Sequence, residues 1–383
     1  MKIVADENIP QVFEAFNDLG EVKLLPGRSI ERRHLLDCQC LLVRTVTQID
    51  HRLLDDTAVE FVGTATVGTD HVDLNYLENN QIFFSNAAGC NAEGVSEYVI
   101  NGLFALSEHK GFDPFELKAG IIGCGNIGSR LLEKLQALGI ETLINDPPLE
   151  ETNTSSHQFV DLDTILSKCN FISLHVPLTR EGDHPTFHLF NQKRLQQLNK
   201  NCILVNAARG PVVDNTALLD LLEHRLDLTM FLDTWEGEPD ISRALLQKID
   251  LATPHVAGYS VEGRLRATQM ILDKACKHFS SKSKWRLSQK LPATIDLRIE
   301  ASDNQLRFWQ RLFAQHYDIW QDHLAITHSH DMNDANFSRH FDSLRKDYPK
   351  RFEYERYQLP ATTDQKAAAI ARNLKFNFNQ VID

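Results

Sequence analysis

Apolar residues come along this chain in short runs, and most runs end in a cluster of polar residues. In the first hundred residues the runs are "KIVAD", "CLLVRT", "VEFVGTAT" and "IFFSNA", and "IPQVFEAFNDLG" lies between the first two. Short apolar runs bounded by turn residues predict buried strands, and strands alternating with helical patterns predict a parallel sheet. A helix is predicted from about Ala92 to His109, with Val95, Val99, Leu103 and Leu106 on one face.

The rhythm restarts after "HKGFDPFELK". "AGIIG", "IETLIND", "NFISLHV", "CILVNAA", "LTMFLD" and "DLATPH" read as strands, and "NIGSRLLEKLQALG" as a helix. A second helical stretch, "SVEGRLRATQMILDKACKHF", follows. From about Leu291 the texture changes. "ATIDLRIE" reads as a strand, and "LRFWQRLFAQHYDIW" and "FSRHFDSLRKDY" as amphipathic helices of a third, smaller unit.

Composition narrows the class. The chain has 383 residues, enough for two or three domains. No apolar run approaches the ~20 residues that span a bilayer, so no membrane partner is expected. "MKIVADENIP" lacks the apolar core of a signal peptide, which makes the cytoplasm the expected compartment. The seven cysteines are scattered, with no CxxC pair, and are expected as reduced thiols. A net charge of −12 argues against nucleic acid as a partner, while a few local arginines can still hold a small anion.

Candidate chemistry begins at "GIIGCGNIGSRL". Gly123, Gly125 and Gly128 are spaced G-x-G-x-x-G, between an apolar strand and an amphipathic helix. That context is the dinucleotide fingerprint: a tight turn, a close pyrophosphate approach, and helix packing on the strand. Asp146 ends the next strand at the position that accepts from the adenosine ribose, favouring NAD over NADP, or it caps the turn at "DPP". Three charged residues follow strands in the same half: Arg209, Glu238 and His255. An imidazole can take a hydroxyl proton, a carboxylate can orient the ring, and a guanidinium fits a carboxylate with its planar fork.

These motifs resemble the NAD-binding half of the D-isomer-specific 2-hydroxyacid dehydrogenases. The matches are "GCGNIGSRL", "FISLHVPLT", "LVNAARGPVVDNTALLDLL", "FLDTWEGEP" and "TPHVAGYS". The resemblance implies NAD as cofactor, Arg209 on the substrate carboxylate, His255 as proton acceptor and Glu238 as its paired acid. It implies that Asp233 holds the nicotinamide carboxamide, and that Asn126, Ile127, Ala207, Ala208 and Gly258 line the cofactor. Val176 replaces a threonine, so only packing or backbone contact carries over there.

"DENIP", "LPGR", "VRTVT", "FVGTATVGTDHVD", "AAGCNAEGVSEYV" and the tail "FDSLRKDY" resemble one branch of the family, whose substrate is a phosphorylated hydroxy acid. That resemblance implies a C-terminal dimerisation domain, hence a homodimer, and substrate contacts by Thr45, Thr66 and Tyr259. Arg44 could supply charge beside them. Ordinary turn capping is the alternative for Thr45 and Thr66. "GTDHVD" reads as a helix cap, and His328 and His330 as surface loop, so no metal is expected.

The expected fold is two doubly wound parallel-sheet domains plus a small C-terminal α+β domain. Residues 1–92 and 258–288 form the substrate domain, 93–257 the NAD domain, and 289–383 the tail. Two other readings stay open: another dehydrogenase of the family, acting on phosphoglycerate or an unphosphorylated hydroxy acid, and a non-catalytic NADH-sensing protein.

Overall fold

The computed structural model describes residues 1–299, 304–329, 332–360 and 365–378. The chain divides into two compact units, Met1–Ala92 with Ser260–Pro292, and Glu93–Tyr259 with Ala293–Asp383.

The first unit is built on a five-stranded sheet. Its strands are β1 (Lys2–Asp6), β2 (Glu21–Leu25), β3 (Cys40–Val43), β4 (Phe61–Thr64) and β5 (Phe83–Asn86), in the order β2-β1-β3-β4-β5, all parallel. Every residue of β3 and β4 is buried, as expected of strands covered on both faces. Leu265, Ile271, Leu272 and Ala275 of the Val261–His278 helix pack with Ile3, Ala5, Leu42 and Phe61 of the sheet. Sequence reading did not identify β2. It is an edge strand, "EVKLL", without a buried residue, so it carries no apolar run.

The second unit holds six parallel strands: β6 (Lys118–Ile122), β7 (Glu141–Asn145), β8 (Phe171–Leu174), β9 (Ile203–Asn206), β10 (Thr229–Leu232) and β11 (Leu251–Ala252). Their order is β11-β10-β9-β8-β6-β7, so the winding reverses between β6 and β8. Ligands of open α/β sheets bind beyond the strand ends at such a reversal. Val95, Val99, Leu103 and Leu106 of the Ala92–Lys110 helix are all buried, as their spacing predicts.

The tail adds a three-stranded parallel sheet, β12 (Ile295–Asp296), β13 (Tyr357–Leu359) and β14 (Asn377–Phe378). Its helices include Gln305–His316, Ile319–Thr327 and Asp334–Lys346. The single helix expected over 306–320 is two helices. Tyr317 leaves the helical region, and the Asp318 carboxylate caps the next helix by accepting from the Trp320 N–H at 3.2 Å. The expected strand "ATIDLRIE" shrinks to two residues, and its last residue lies outside the described ones. Trp309, Phe313 and Tyr354 share one core with Tyr98, Val99 and Phe104. Among the described residues, no helix is long and apolar enough to cross a membrane. All seven cysteines are unbridged, and only Cys276 is not buried.

Two buried histidines give a pH-dependent stability. Burial pushes the pKa of His175 and of His316 down from 6.5 to about 3. The unfolded chain binds more protons than the native one between those values. Their stabilising contribution is therefore present above about pH 6.5 and is lost as the pH falls toward 3. Each group contributes a slope of about 1.4 kcal/mol per pH unit inside that window. Urea midpoints should decline from pH 6.5 to pH 4, and His316→Gln should flatten the decline by one group's share.

Candidate active site

The glycine loop leaves β6 and opens the Asn126–Ala137 helix. Gly123 sits at φ +89°, a left-handed backbone that glycine adopts without strain, and a Cβ there would lie 2.8 Å from the His175 carbonyl. A Cβ on Gly128 would lie 2.0 Å from the Gly123 oxygen, so helix and loop touch directly. A Cβ on Gly125 would meet nothing within 4 Å, and Gly125 and Asn126 are exposed. Gly125 caps the helix without a side-chain hydrogen bond. An open helix N-terminus with bare N–H groups fits a pyrophosphate.

Asp146 immediately follows β7 and does two jobs at once. Its Oδ2 accepts from the Cys124 N–H at 2.7 Å, tying down the glycine loop, and its Oδ1 accepts from Leu149 N–H at 3.0 Å as a helix cap. Each carboxylate oxygen has a second lone pair for a ribose hydroxyl, so capping and cofactor binding coexist. Val176 lies over the loop: its Cγ1 would be 2.9 Å from a Cβ on Gly123.

Arg209, Glu238 and His255 follow β9, β10 and β11, which are neighbours in the sheet. His255 Nδ1 and Glu238 Oε2 are 2.7 Å apart. Glu238 Oε1 accepts from the Trp235 N–H at 2.8 Å, so both its oxygens are anchored. Burial works to raise the Glu238 pKa, but His255, the Trp235 N–H and Arg345 outweigh it and hold it below the ordinary carboxylate value. His255 sits at φ +58°, unusual for a side chain this large.

What keeps His255 there is Asp233, whose carboxylate accepts from the Val256 N–H (2.7 Å), the Ala257 N–H (3.0 Å) and the Thr253 hydroxyl (2.6 Å). Asp233 is only 1% exposed. Hydrogen bonds to a charged group are worth about 1.5–3 kcal/mol each, so three can offset the several kcal/mol that desolvation costs. Sequence reading missed this clasp.

It also missed the clamp on Arg209. Asn206 Nδ2 donates to the Arg209 carbonyl at 2.9 Å, and its Oδ1 accepts from the Ala208 N–H at 3.1 Å. Arg209 Nη1 donates to the Ala208 carbonyl at 2.8 Å. Ala207 and Ala208 are buried in this turn. A Cβ on Gly210 would lie 1.9 Å from the Trp235 oxygen, so the turns carrying Arg209 and Glu238 are in backbone contact.

Tyr259 is half-buried and meets the Tyr348 ring edge-on at 5.7 Å. Gly258, just before it, is also half-buried. The remaining substrate candidates lie in the first unit, at the carboxyl ends of β3 and β4. Thr45 is exposed, and Arg44 Nε pairs with the buried Asp6 at 3.0 Å. Thr66 Oγ1 is 2.8 Å from Thr64 Oγ1. In "GTDHVD", Asp73 caps a helix by accepting from the Tyr76 N–H at 2.9 Å. His328 is exposed at a helix end, and His330 lies outside the described residues. Among the described residues, His188, Asp214 and Glu236 bring three potential metal-ligand atoms together. The pairing of His188 Nε2 with Glu236 at 2.7 Å, and the Asn215 N–H on the other Glu236 oxygen, account for that cluster.

Residues 91–257 match the family model described as D-isomer specific 2-hydroxyacid dehydrogenase, NAD binding domain. An erythronate-4-phosphate dehydrogenase of Stutzerimonas stutzeri is 43% identical, over 98% of this chain and all of that one. Another, of Pseudomonas entomophila, is 43% identical over 93% of both. The chain belongs to the D-isomer specific 2-hydroxyacid dehydrogenase family, in its erythronate-4-phosphate dehydrogenase branch. This dehydrogenase is an NAD-dependent oxidoreductase acting on a CH–OH group. Its fold is similar to that of the NAD+-bound 3-phosphoglycerate dehydrogenase of Entamoeba histolytica, with a TM-score of 0.62 and 23% identity over 73% of this chain and 95% of that one. The D-lactate dehydrogenase of Aquifex aeolicus, solved with NAD and lactic acid, gives a TM-score of 0.59 and 24% identity over 73% of this chain and 95% of that one.

Proposed function

We propose that this enzyme oxidises 4-phospho-D-erythronate to (R)-3-hydroxy-2-oxo-4-phosphooxybutanoate, a step of vitamin B6 biosynthesis. The observation that carries the chemistry is the His255–Glu238 pair at 2.7 Å beside the turn of Arg209. Bound NAD supplies the hydride acceptor. His255 takes the hydroxyl proton on Nε2, the nitrogen left over by the Nδ1 contact with Glu238. Glu238 holds the ring in that orientation and stabilises the imidazolium that forms. The Arg209 guanidinium grips the substrate carboxylate and polarises the oxygen next to it as the carbonyl forms. The glycine loop, Asn126, Ile127 and Asp146 hold the dinucleotide, with Val176, Ala207, Ala208, Asp233 and Gly258 lining its nicotinamide end.

Thr45, Thr66, Tyr259 and Arg44 are the assigned substrate contacts. Residues 1–92 and 258–288 make up the substrate domain, 93–257 the NAD domain, and 289–383 a dimerisation domain of a cytoplasmic homodimer. The test is kcat/KM on 4-phosphoerythronate against erythronate. Two or more charge-assisted hydrogen bonds to the phosphate, at about 1.5–3 kcal/mol each, predict a preference of roughly 10²-fold or more. Equal values, or a preference for phosphoglycerate, would transfer the enzyme to another branch of the family.

A further inference from the structure

The "HVAGY" loop is held from two sides. Asp233 takes the N–H groups of Val256 and Ala257, and the carbonyls of the same two residues point to a different partner. Arg351 Nη2 donates to the Val256 oxygen at 3.2 Å and to the Ala257 oxygen. Two successive residues are thus gripped by a carboxylate on their N–H groups and a guanidinium on their carbonyls.

Arg351 comes from the tail, nearly a hundred residues further along the chain, and is 6% exposed. Its guanidinium carbon lies 4.8, 5.6 and 5.9 Å from the ring centroids of Tyr317, Tyr98 and Tyr348. Such contacts are worth more when desolvated. Asp322 accepts from the hydroxyls of both Tyr317 and Tyr348, placing a carboxylate in the same aromatic cage. Tyr98 closes the circuit: its hydroxyl is 2.5 Å from Thr253 Oγ1, which donates to Asp233.

The cage ties tail residues to one another through Tyr317, Tyr348 and Asp322, and it also reaches out of the tail to Tyr98 and to the two loop carbonyls. This arginine meets ring faces within its own segment and sends its hydrogen bonds out of it. This one directs Nη2 onto the two residues that follow His255. We propose that Arg351 is a positioning residue: by holding the Val256 and Ala257 carbonyls it fixes the loop that aims His255, which makes the C-terminal segment a working part of the active site. The proposal rests on His255 being the proton acceptor.

Arg351→Ala and Arg351→Lys test it, with turnover expressed per folded molecule, NADH affinity read by nicotinamide fluorescence, and folding read by circular dichroism. Misplacement of a catalytic group by about 1 Å costs about 10²-fold, so Arg351→Ala is expected to lose about that factor in kcat, with KM and NADH affinity little changed. Added guanidinium should fill the vacated cage and restore part of kcat. Folded Arg351→Ala that keeps wild-type kcat, or whose kcat falls only in proportion to its folded fraction, overturns the proposal.

Should the alanine variant fail to fold, Arg351→Lys decides. It keeps the charge but loses the planar group that lies among the three tyrosine rings while reaching both carbonyls, and is expected to fold with a kcat about tenfold down. Wild-type kcat in folded Arg351→Lys overturns the proposal. His255→Ala measured in parallel separates the two ideas: turnover surviving there sinks the proton-acceptor reading itself, whatever the Arg351 variants do.

Discussion

His255→Ala is expected to bind NADH with wild-type affinity and to lose about 10²–10⁴-fold in kcat, the usual worth of a general base. The cofactor cradle is the glycine loop and Asp146, and neither leans on the imidazole. Glu238→Gln should also be impaired. The amide can turn its NH2 toward Nδ1, which leaves the proton on Nε2 and presents the wrong tautomer to the substrate. Steady-state kinetics with a fluorescence titration of NADH checks both. Substantial turnover by His255→Ala would remove the proposed base, and loss of NADH binding would show that the variant had damaged more than the chemistry.

Gly210→Ala should combine a stability loss with an activity loss. The new methyl would sit 1.9 Å from the Trp235 oxygen and 2.6 Å from the Glu236 nitrogen. Both obstacles are backbone, so no side chain can swing aside. Overpacking of this kind costs about 1–3 kcal/mol or more. Relief requires the Arg209 turn and the Glu238 turn to part, and about 1 Å of misplacement is enough for a 10²-fold loss in kcat/KM. Gly125→Ala is the contrast. Its methyl meets nothing within 4 Å, so thermal stability should hold while NADH affinity drops, because the methyl occupies the approach to the helix N-terminus. Melting curves and NADH titrations on the two variants should therefore give opposite patterns.

The fold was legible where burial on both faces leaves an unbroken apolar run. β3 is such a run, and β4, β8, β9 and β10 come close with one or two small or polar residues each; all five are fully buried. β2 was not legible because an edge strand needs no apolar run, and the break at Tyr317 was not because helical spacing continues across it. Motifs pointed to Gly123, Asp146, Arg209, Glu238 and His255, and the structure pairs the last two. The supports around them are a different matter. Asn206 and Arg351 act on backbone groups, which every residue has, so no local pattern announces them; the motif marked Asp233 for the cofactor and gave no sign of its hold on the loop backbone.

The clasp at Asp233 means that the awkward backbone at His255 is adopted on folding, before any ligand arrives. Substrate binding energy need not be diverted into ordering the loop, and remains for the reacting centre. Deuterium should accordingly reach the Val256 and Ala257 amides slowly in the ligand-free enzyme, and NAD should add little to their protection.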